Sequence, residues 1–182
     1  MSKEFIILWL TGMSGSGKST LANCIDQKCK DEGFSSIIID GDDVRDQDDK
    51  KLGFGYDDVL TNNLRIANYC LSQKDKEISV VIVPVISPYE RVRVKVKGLL
   101  NPFFHLIYVK ADIDSLKDRD TKGLYLASDN GKINDLIGYS DINPYEEPLE
   151  PSIVIETGKN YSLNESKIKI LEFVSNLLIL RK

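Results

Sequence analysis

Little in this sequence points to chemistry held by cysteine or histidine. There are three cysteines in 182 residues, Cys24, Cys29 and Cys70. They form no CxxC pair and no metal-ligand spacing, and an odd count without a secretory leader reads as reduced thiols in a cytoplasm. There is one histidine, His105. A single imidazole excludes His-cluster metal sites and argues against a His-based triad. It sits in the apolar run Phe103–Val109 and is read as a strand residue rather than a catalyst. No run approaches the ~20 apolar residues of a membrane span. Met1–Leu10 lacks the apolar core of ~7–15 residues and the cleavage site of a secretory leader, so a cytoplasmic protein is expected. Positive charge is not in excess: 24 Lys and Arg stand against 28 Asp and Glu, a net charge of −4. That excludes nucleic acid and anionic membranes as partners of the chain as a whole. No internal repeat or low-complexity tract is present. An apolar share of 42% is enough for one real core at this length. Residues 1–182 are therefore read as a single domain.

The elements alternate between strand and helix. Phe5–Leu10 is a continuous apolar run, as in a buried parallel strand. Leu21, Ala22, Ile25 and Cys29 then share one helical face, and Gly33 ends that helix. Ser36–Asp40 predicts a second strand. Leu60, Leu64, Ala67 and Leu71 recur at helical spacing. Ile78–Ile86 predicts a central strand, and Pro88 suits the first position of the helix that follows. Phe103–Val109 and Ile153–Ile155 predict a fourth and a fifth strand. Ser162 and Glu165 have the spacing of a capping box ahead of a stripe at Ile168, Leu171, Val174 and Leu178. Such alternation implies a mostly parallel α/β sheet with helices on both faces and ligands at the carboxyl ends of the strands. Thr121–Pro151 fits neither period. It is rich in Asp, Asn, Gly, Pro and Tyr, and is read as a functional loop or lid with bounds of about 119–150.

Gly12-Met13-Ser14-Gly15-Ser16-Gly17-Lys18-Ser19 matches G-x-x-x-x-G-K-[ST] in full, between a strand and a helix. Its glycines let backbone N–H groups wrap a phosphate, and the helix N-terminus adds positive potential. Lys18 can reach the β/γ oxygens and the Ser19 hydroxyl can ligate Mg²⁺. The predicted ATP contacts are Gly12, Ser14 to Ser19, Thr20, and Arg119 from the lid. A P-loop alone is shared by kinases, switch GTPases and motors. No NKxD guanine-reading sequence is present, and the chain is small for a motor.

The second strand ends in Asp40-Gly41-Asp42-Asp43-Val44-Arg45. A carboxylate there can accept a hydroxyl proton or hold a Mg²⁺ water, and Arg45 can clamp a phosphate. The third strand ends in Ile86-Ser87-Pro88-Tyr89, with Arg91 and Arg93 beyond. Arg91 is read as surface charge. Arg119, Lys122 and Tyr125 lie in the lid, where cations can cover a transferring phosphoryl group.

These residues together resemble the adenylylsulfate (APS) kinases, nearly end to end. The P-loop matches, as does Asp40-Gly41-Asp42 with Arg45. So do Phe54, Asp58 and Asn62; Ile86 to Tyr89 with Arg93; Lys122 to Tyr125; and Pro144 to Pro148. The resemblance implies a P-loop NTPase fold and transfer of the ATP γ-phosphate to the ribose 3′-hydroxyl of APS, with Mg²⁺. It implies Asp42 as base or hydroxyl orienter, and Asp40 as its support or as a metal ligand beside Ser19. Lys18 handles the phosphates. Arg45 and Asn62 hold the acceptor anhydride, Phe54 stacks on its base, and Ile86, Ser87 and Lys122 complete the acceptor site. A homodimer is implied as well.

Four departures fall on the acceptor side. Val59 and Glu90 stand where the family has arginines, Gly55 replaces a serine, and Leu136 replaces the phenylalanine that closes the far side of the adenine. Leu136 keeps some apolar contact, and Lys50 or Lys51 could replace the missing charge. A charge-assisted hydrogen bond is worth ~1.5–3 kcal/mol and a base stack ~1–3 kcal/mol. Losing one of each costs up to ~10²–10⁴ in APS affinity. An alternative acceptor of comparable weight is cytidine diphosphoramidate, a nucleotide of capsule decoration with a smaller base. Two other readings are a generic P-loop kinase for a nucleoside or sugar and an ATP-binding module without activity.

Overall fold

A computed structural model describes residues 5–46 and 52–179, apart from the side chains of Asp42 and Asp46. Lys50 and Lys51 lie outside the described residues. The centre of the fold is β1 (Ile6–Thr11), six residues all buried. It is flanked in parallel by β3 (Val80–Pro84) and β4 (Phe104–Lys110). Outside these lie β2 (Ser36–Ile38) and β5 (Ile153–Glu156), giving the parallel order β2-β3-β1-β4-β5. A strand buried on both faces is nearly continuously apolar, which is why β1 up to Leu10 and β3 read as unbroken runs; the buried Thr11 hydroxyl donates to the Ile86 carbonyl.

Successive side chains of β1 feed two different cores. Ile7 and Trp9 join one face with helices α3 (Tyr56–Ser72) and α4 (Glu90–Leu100). Ile6, Leu8 and Leu10 join the other with α1 (Lys18–Asp31) and α7 (Leu163–Ile179). Each fully buried aliphatic side chain contributes about 1.5–3 kcal/mol. Among the described residues three shorter α-helices, α2 (Gly41–Asp46), α5 (Ile113–Arg119) and α6 (Leu124–Asp129), and a 3₁₀ turn at Lys74–Lys76 complete the fold.

Most of the expected elements are present. Leu21, Ala22, Ile25 and Cys29 are the buried face of α1, and Gly33 follows that helix at φ 80°. Ser162 and Glu165 form the capping box: the Ser162 N–H donates to Glu165 Oε2 at 2.7 Å, and the Glu165 N–H to Ser162 Oγ at 3.1 Å. His105 is a β4 residue, edge-on to Phe173.

Several details differ. The second strand stops at Ile38, which leaves Asp40 in the turn beyond it. Pro88 precedes α4 by two residues, because Tyr89 takes the cap position. The buried face of α3 is Val59, Asn62, Asn63, Ile66, Ala67 and Cys70, not the stripe through Leu60, Leu64 and Leu71. This helix carries apolar side chains on two faces, and the sheet takes the one that also bears the asparagines. On α7, Ile170 is buried and Ile168 is half exposed, so the stripe is rotated toward 170, 174 and 178. The lid segment is also not structureless. It contains α6 and a bridge between Gly138 and Pro144.

Candidate active site

The phosphate loop leaves β1 at Thr11 and passes hard against β4. A Cβ on Gly12 would lie 2.3 Å from the Val109 carbonyl oxygen. Gly15 and Gly17 take left-handed φ values of 76° and 96°, which a side chain would strain. Gly17 caps α1 with no side-chain hydrogen bond and no carboxylate in the first turn. The first N–H groups of a 14-residue helix are thus left for an anion. Lys18 folds back over the loop, its Nζ donating to the Met13 carbonyl at 2.8 Å.

This loop lines a cleft of about 440 Å³. Ser14 to Thr20 form one wall, and Asp40, Ile86, Arg119 and Lys122 contribute from other elements. All the predicted ATP contacts except Gly12 therefore line one cavity, and Gly12 sets the loop's path. Arg119 Nη1 donates to Gly15 O at 3.3 Å, and its Nη2 donates to Thr157 O. Thr157, at the end of β5, donates its hydroxyl to Ser16 O at 2.8 Å. Thr157, Tyr161 and Leu163 line the cleft too, and the motifs did not reveal them. A signal existed for Thr157: it stands at the carboxyl end of a strand, where such sheets bind ligands.

A second crevice, about 50 Å³, opens beside the first. Arg45, Phe54, Asn62, Ile86 and Ser87 line it, five of the predicted acceptor residues; Lys122 lines the phosphate cleft instead, and Leu136 lines neither. The Arg45 guanidinium lies 4.5 Å from the Phe54 ring centroid and donates to Gly53 O at 2.6 Å. Ser87 is buried at a φ of 44°, a left-handed conformation rare for a residue with a side chain. The hydroxyl of Ser87 and Oδ1 of Asn62 are buried with no hydrogen-bond partner among the described residues. The two cavities touch: Asp40 lines the cleft and Gly41 the crevice, while Val85 and Ile86 line both. Asp42 is the next residue, on α2; its side chain lies outside the described residues.

A sequence profile for adenylylsulphate kinase matches residues 4–156. The adenylyl-sulfate kinase of Bacillus velezensis is 40% identical over 173 residues, 94% of this chain and 86% of that protein. The one from Rippkaea orientalis is 36% identical over 182 residues, covering all of this chain and 98% of its own. Among solved structures, the Mycobacterium tuberculosis APS kinase in complex with AMPPNP and APS superposes with a TM-score of 0.80. It is 28% identical, with 94% of this chain and 98% of that one covered. The chain belongs to the adenylylsulphate kinase family.

As a member of that family, it has its unusual residues in definite places. Val59 is buried and lines the crevice, so it presents no charge to an acceptor. Glu90 accepts from Arg93 Nη2 at 2.6 Å and Nε at 3.0 Å. The same arginine, 1% exposed, also donates to Ser87 O at 2.7 Å and Glu146 O at 2.6 Å. Arg93 is thereby a clamp, joining the end of the third strand to the Pro-Tyr-Glu-Glu-Pro segment. Leu136 does not line the crevice. It packs with Leu116 and Tyr125 in a small cluster that Met13 of the phosphate loop joins, and the next residue, Ile137, lines the crevice with Phe54. The local turn rotates the pair by one position.

The segment read as a lid is bonded to β1 and the phosphate loop of this adenylylsulphate kinase. Tyr125 is buried, and its hydroxyl donates to Ser14 O at 2.7 Å. Burial pushes its phenol well above the ordinary range, so it stays a donor at neutral pH. Tyr145 shares a 2.9 Å hydrogen bond with Thr11 Oγ1 and stacks on Tyr108. Burial raises its phenol as well.

Proposed function

We propose that this family member transfers the γ-phosphoryl group of ATP to the ribose 3′-hydroxyl of adenylyl sulfate, with the chain working as one kinase domain. The observation that carries the reading is the shared wall. A phosphate cleft and an aromatic crevice meet at Asp40-Gly41 and Val85-Ile86, so a donor in one and an acceptor in the other would face each other across a single turn. Phosphoryl transfer needs positioning and charge stabilisation more than covalent chemistry. Lys18 and the α1 N-terminus supply positive potential on the donor side. Arg119 and Lys122 line the same cleft from the lid side. Asp42, one residue past the shared turn, is the proposed base or orienter of the acceptor hydroxyl.

Ser19 and Asp40 offer hard oxygen donors in the same cleft. No cluster of three or more His, Cys, Asp or Glu side chains suited to a metal occurs among the described residues. Two protein oxygens fit Mg²⁺, which keeps several waters and shares phosphate oxygens. Bound there, the ion would offset phosphate charge. No helix of the described residues is long and apolar enough to cross a membrane. Three unpaired thiols accord with a reducing compartment such as the cytoplasm.

A second acceptor, cytidine diphosphoramidate, is the reading to test against adenylyl sulfate, because the uncharged Val59 lines the crevice where the resemblance implies an arginine. Turnover of ATP to ADP with Mg²⁺ and each acceptor in parallel decides between them. Preference for adenylyl sulfate is expected, and clear preference for the cytidine compound would replace it. Asp42→Asn is expected to keep ATP affinity and lose most transfer. Unchanged turnover would remove Asp42 from its role.

A further inference from the structure

The buried face of α3 carries two asparagines into the acceptor crevice, and the family motif accounts for only Asn62. Asn63 is 2% exposed and also lines the crevice. Its Nδ2 donates to the Val59 carbonyl at 3.0 Å. That bond fixes the amide orientation, because a backbone carbonyl only accepts. Oδ1 is therefore an acceptor, and it is buried with no partner among the described residues. An unsatisfied buried amide oxygen costs about 1–3 kcal/mol, a penalty that leucine at this position would avoid.

The neighbourhood says what would satisfy it. Asn62 Oδ1 and Ser87 Oγ, lining the same crevice, are equally buried and unpartnered. Two carbonyl-type oxygens and a hydroxyl call for an occupant that brings N–H donors. The walls around them are Phe54, Val59 and Ile137, an aromatic and two aliphatic surfaces suited to a flat ring. A flat ring with N–H donors on its edge is a nucleobase with an exocyclic amine.

We infer that Asn63 reads the exocyclic amine of the acceptor's base, and so makes the crevice selective for amino bases over oxo bases. The inference rests on the acceptor reading above only in placing a nucleotide in this crevice. The amine donates to Asn63 Oδ1, while the second Nδ2 hydrogen can reach the adjacent ring nitrogen, a pairing the carboxamide makes with adenine elsewhere. Cytosine presents the same amine and ring nitrogen. An oxo base turns a carbonyl toward Asn63 Oδ1 and leaves both oxygens unsatisfied.

The test is equilibrium binding to the whole protein with the phosphate cleft saturated by AMPPNP and Mg²⁺. Two pairs of 5′-monophosphates are compared, adenosine with inosine and cytidine with uridine. The amino member of at least one pair is expected to bind at least about tenfold tighter. In Asn63→Leu that ratio is expected to fall to about one, with AMPPNP affinity and Tm held. Equal binding within both pairs, no binding of any of the four, or an unchanged ratio in Asn63→Leu would overturn the inference. The wild-type comparison stands alone if the variant does not fold. An amino preference without turnover of adenylyl sulfate sinks only the acceptor reading. Turnover without the preference sinks only the role of Asn63.

Discussion

At Gly12 the phosphate loop and β4 leave no room for a side chain. A methyl group there must displace backbone, since the nearest atom is the Val109 carbonyl at 2.3 Å. Gly12→Ala is expected to lose about 1–3 kcal/mol of stability and most ATP affinity, read by urea unfolding and nucleotide titration. Tyr125→Phe removes one hydroxyl and keeps the ring. It is expected to lose about 0.5–1.5 kcal/mol and to raise the ATP KM several-fold, since the Ser14 carbonyl loses its donor. An unchanged KM would show that the bond steadies the lid and not the loop. At this scale the sequence was most readable where chemistry is local. Lys18 and Ser19 belong to a contiguous motif, so spacing alone pointed to the cleft they line. Asn63 was invisible, because its role comes from a tertiary crevice and no spacing rule marks a buried amide.

Elements were harder to read than their order. The strands stood out because buried parallel strands such as β1 and β3 are almost wholly apolar, but α3 and α7 carry apolar residues on more than one face. Periodicity therefore gave each helix and missed its rotation, leaving Leu60 and Ile168 in place of Val59 and Ile170. The lid was opaque for another reason. It is held by long-range bonds, Arg93 to Glu146 and Tyr145 to Thr11, which no local pattern encodes. Arg93→Met tests that clamp. Four hydrogen bonds to Ser87, Glu90 and Glu146 are lost from a buried site, and about 3 kcal/mol of stability is expected to go with them. Ser87, freed from its clamp, is expected to relax toward a less strained backbone. Acceptor KM should then rise more than ATP KM, and equal rises would refute the positional link.

Across the whole molecule, burial controls the thiols. It pushes Cys29 up to about 11 and Cys70 up to about 12. In the unfolded chain both ionise near pH ~8.5. The native state thus keeps protons that the unfolded state loses. The stability this adds is complete below about pH 8.5 and is lost as pH climbs toward those raised values, at about 1.4 kcal/mol per pH unit for each thiol. Urea midpoints between pH 8 and 10 are expected to fall, and to fall less in Cys70→Val. At pH 8 a thiol reagent is expected to titrate only Cys24, the half-buried cysteine, in native protein and all three after denaturation.

The position of β1 has a consequence in time. The fully buried central strand comes early in the chain, yet its partners come late: Ile6 meets Val80 about 75 residues on, and Ile7 meets Phe104 about 100 residues on. At ~5–20 residues per second a ribosome takes several seconds to deliver both. For that interval an apolar ribbon has no sheet to enter. A nascent chain halted before β4 is expected to bind chaperones and yield to protease, and one released after β5 to do neither.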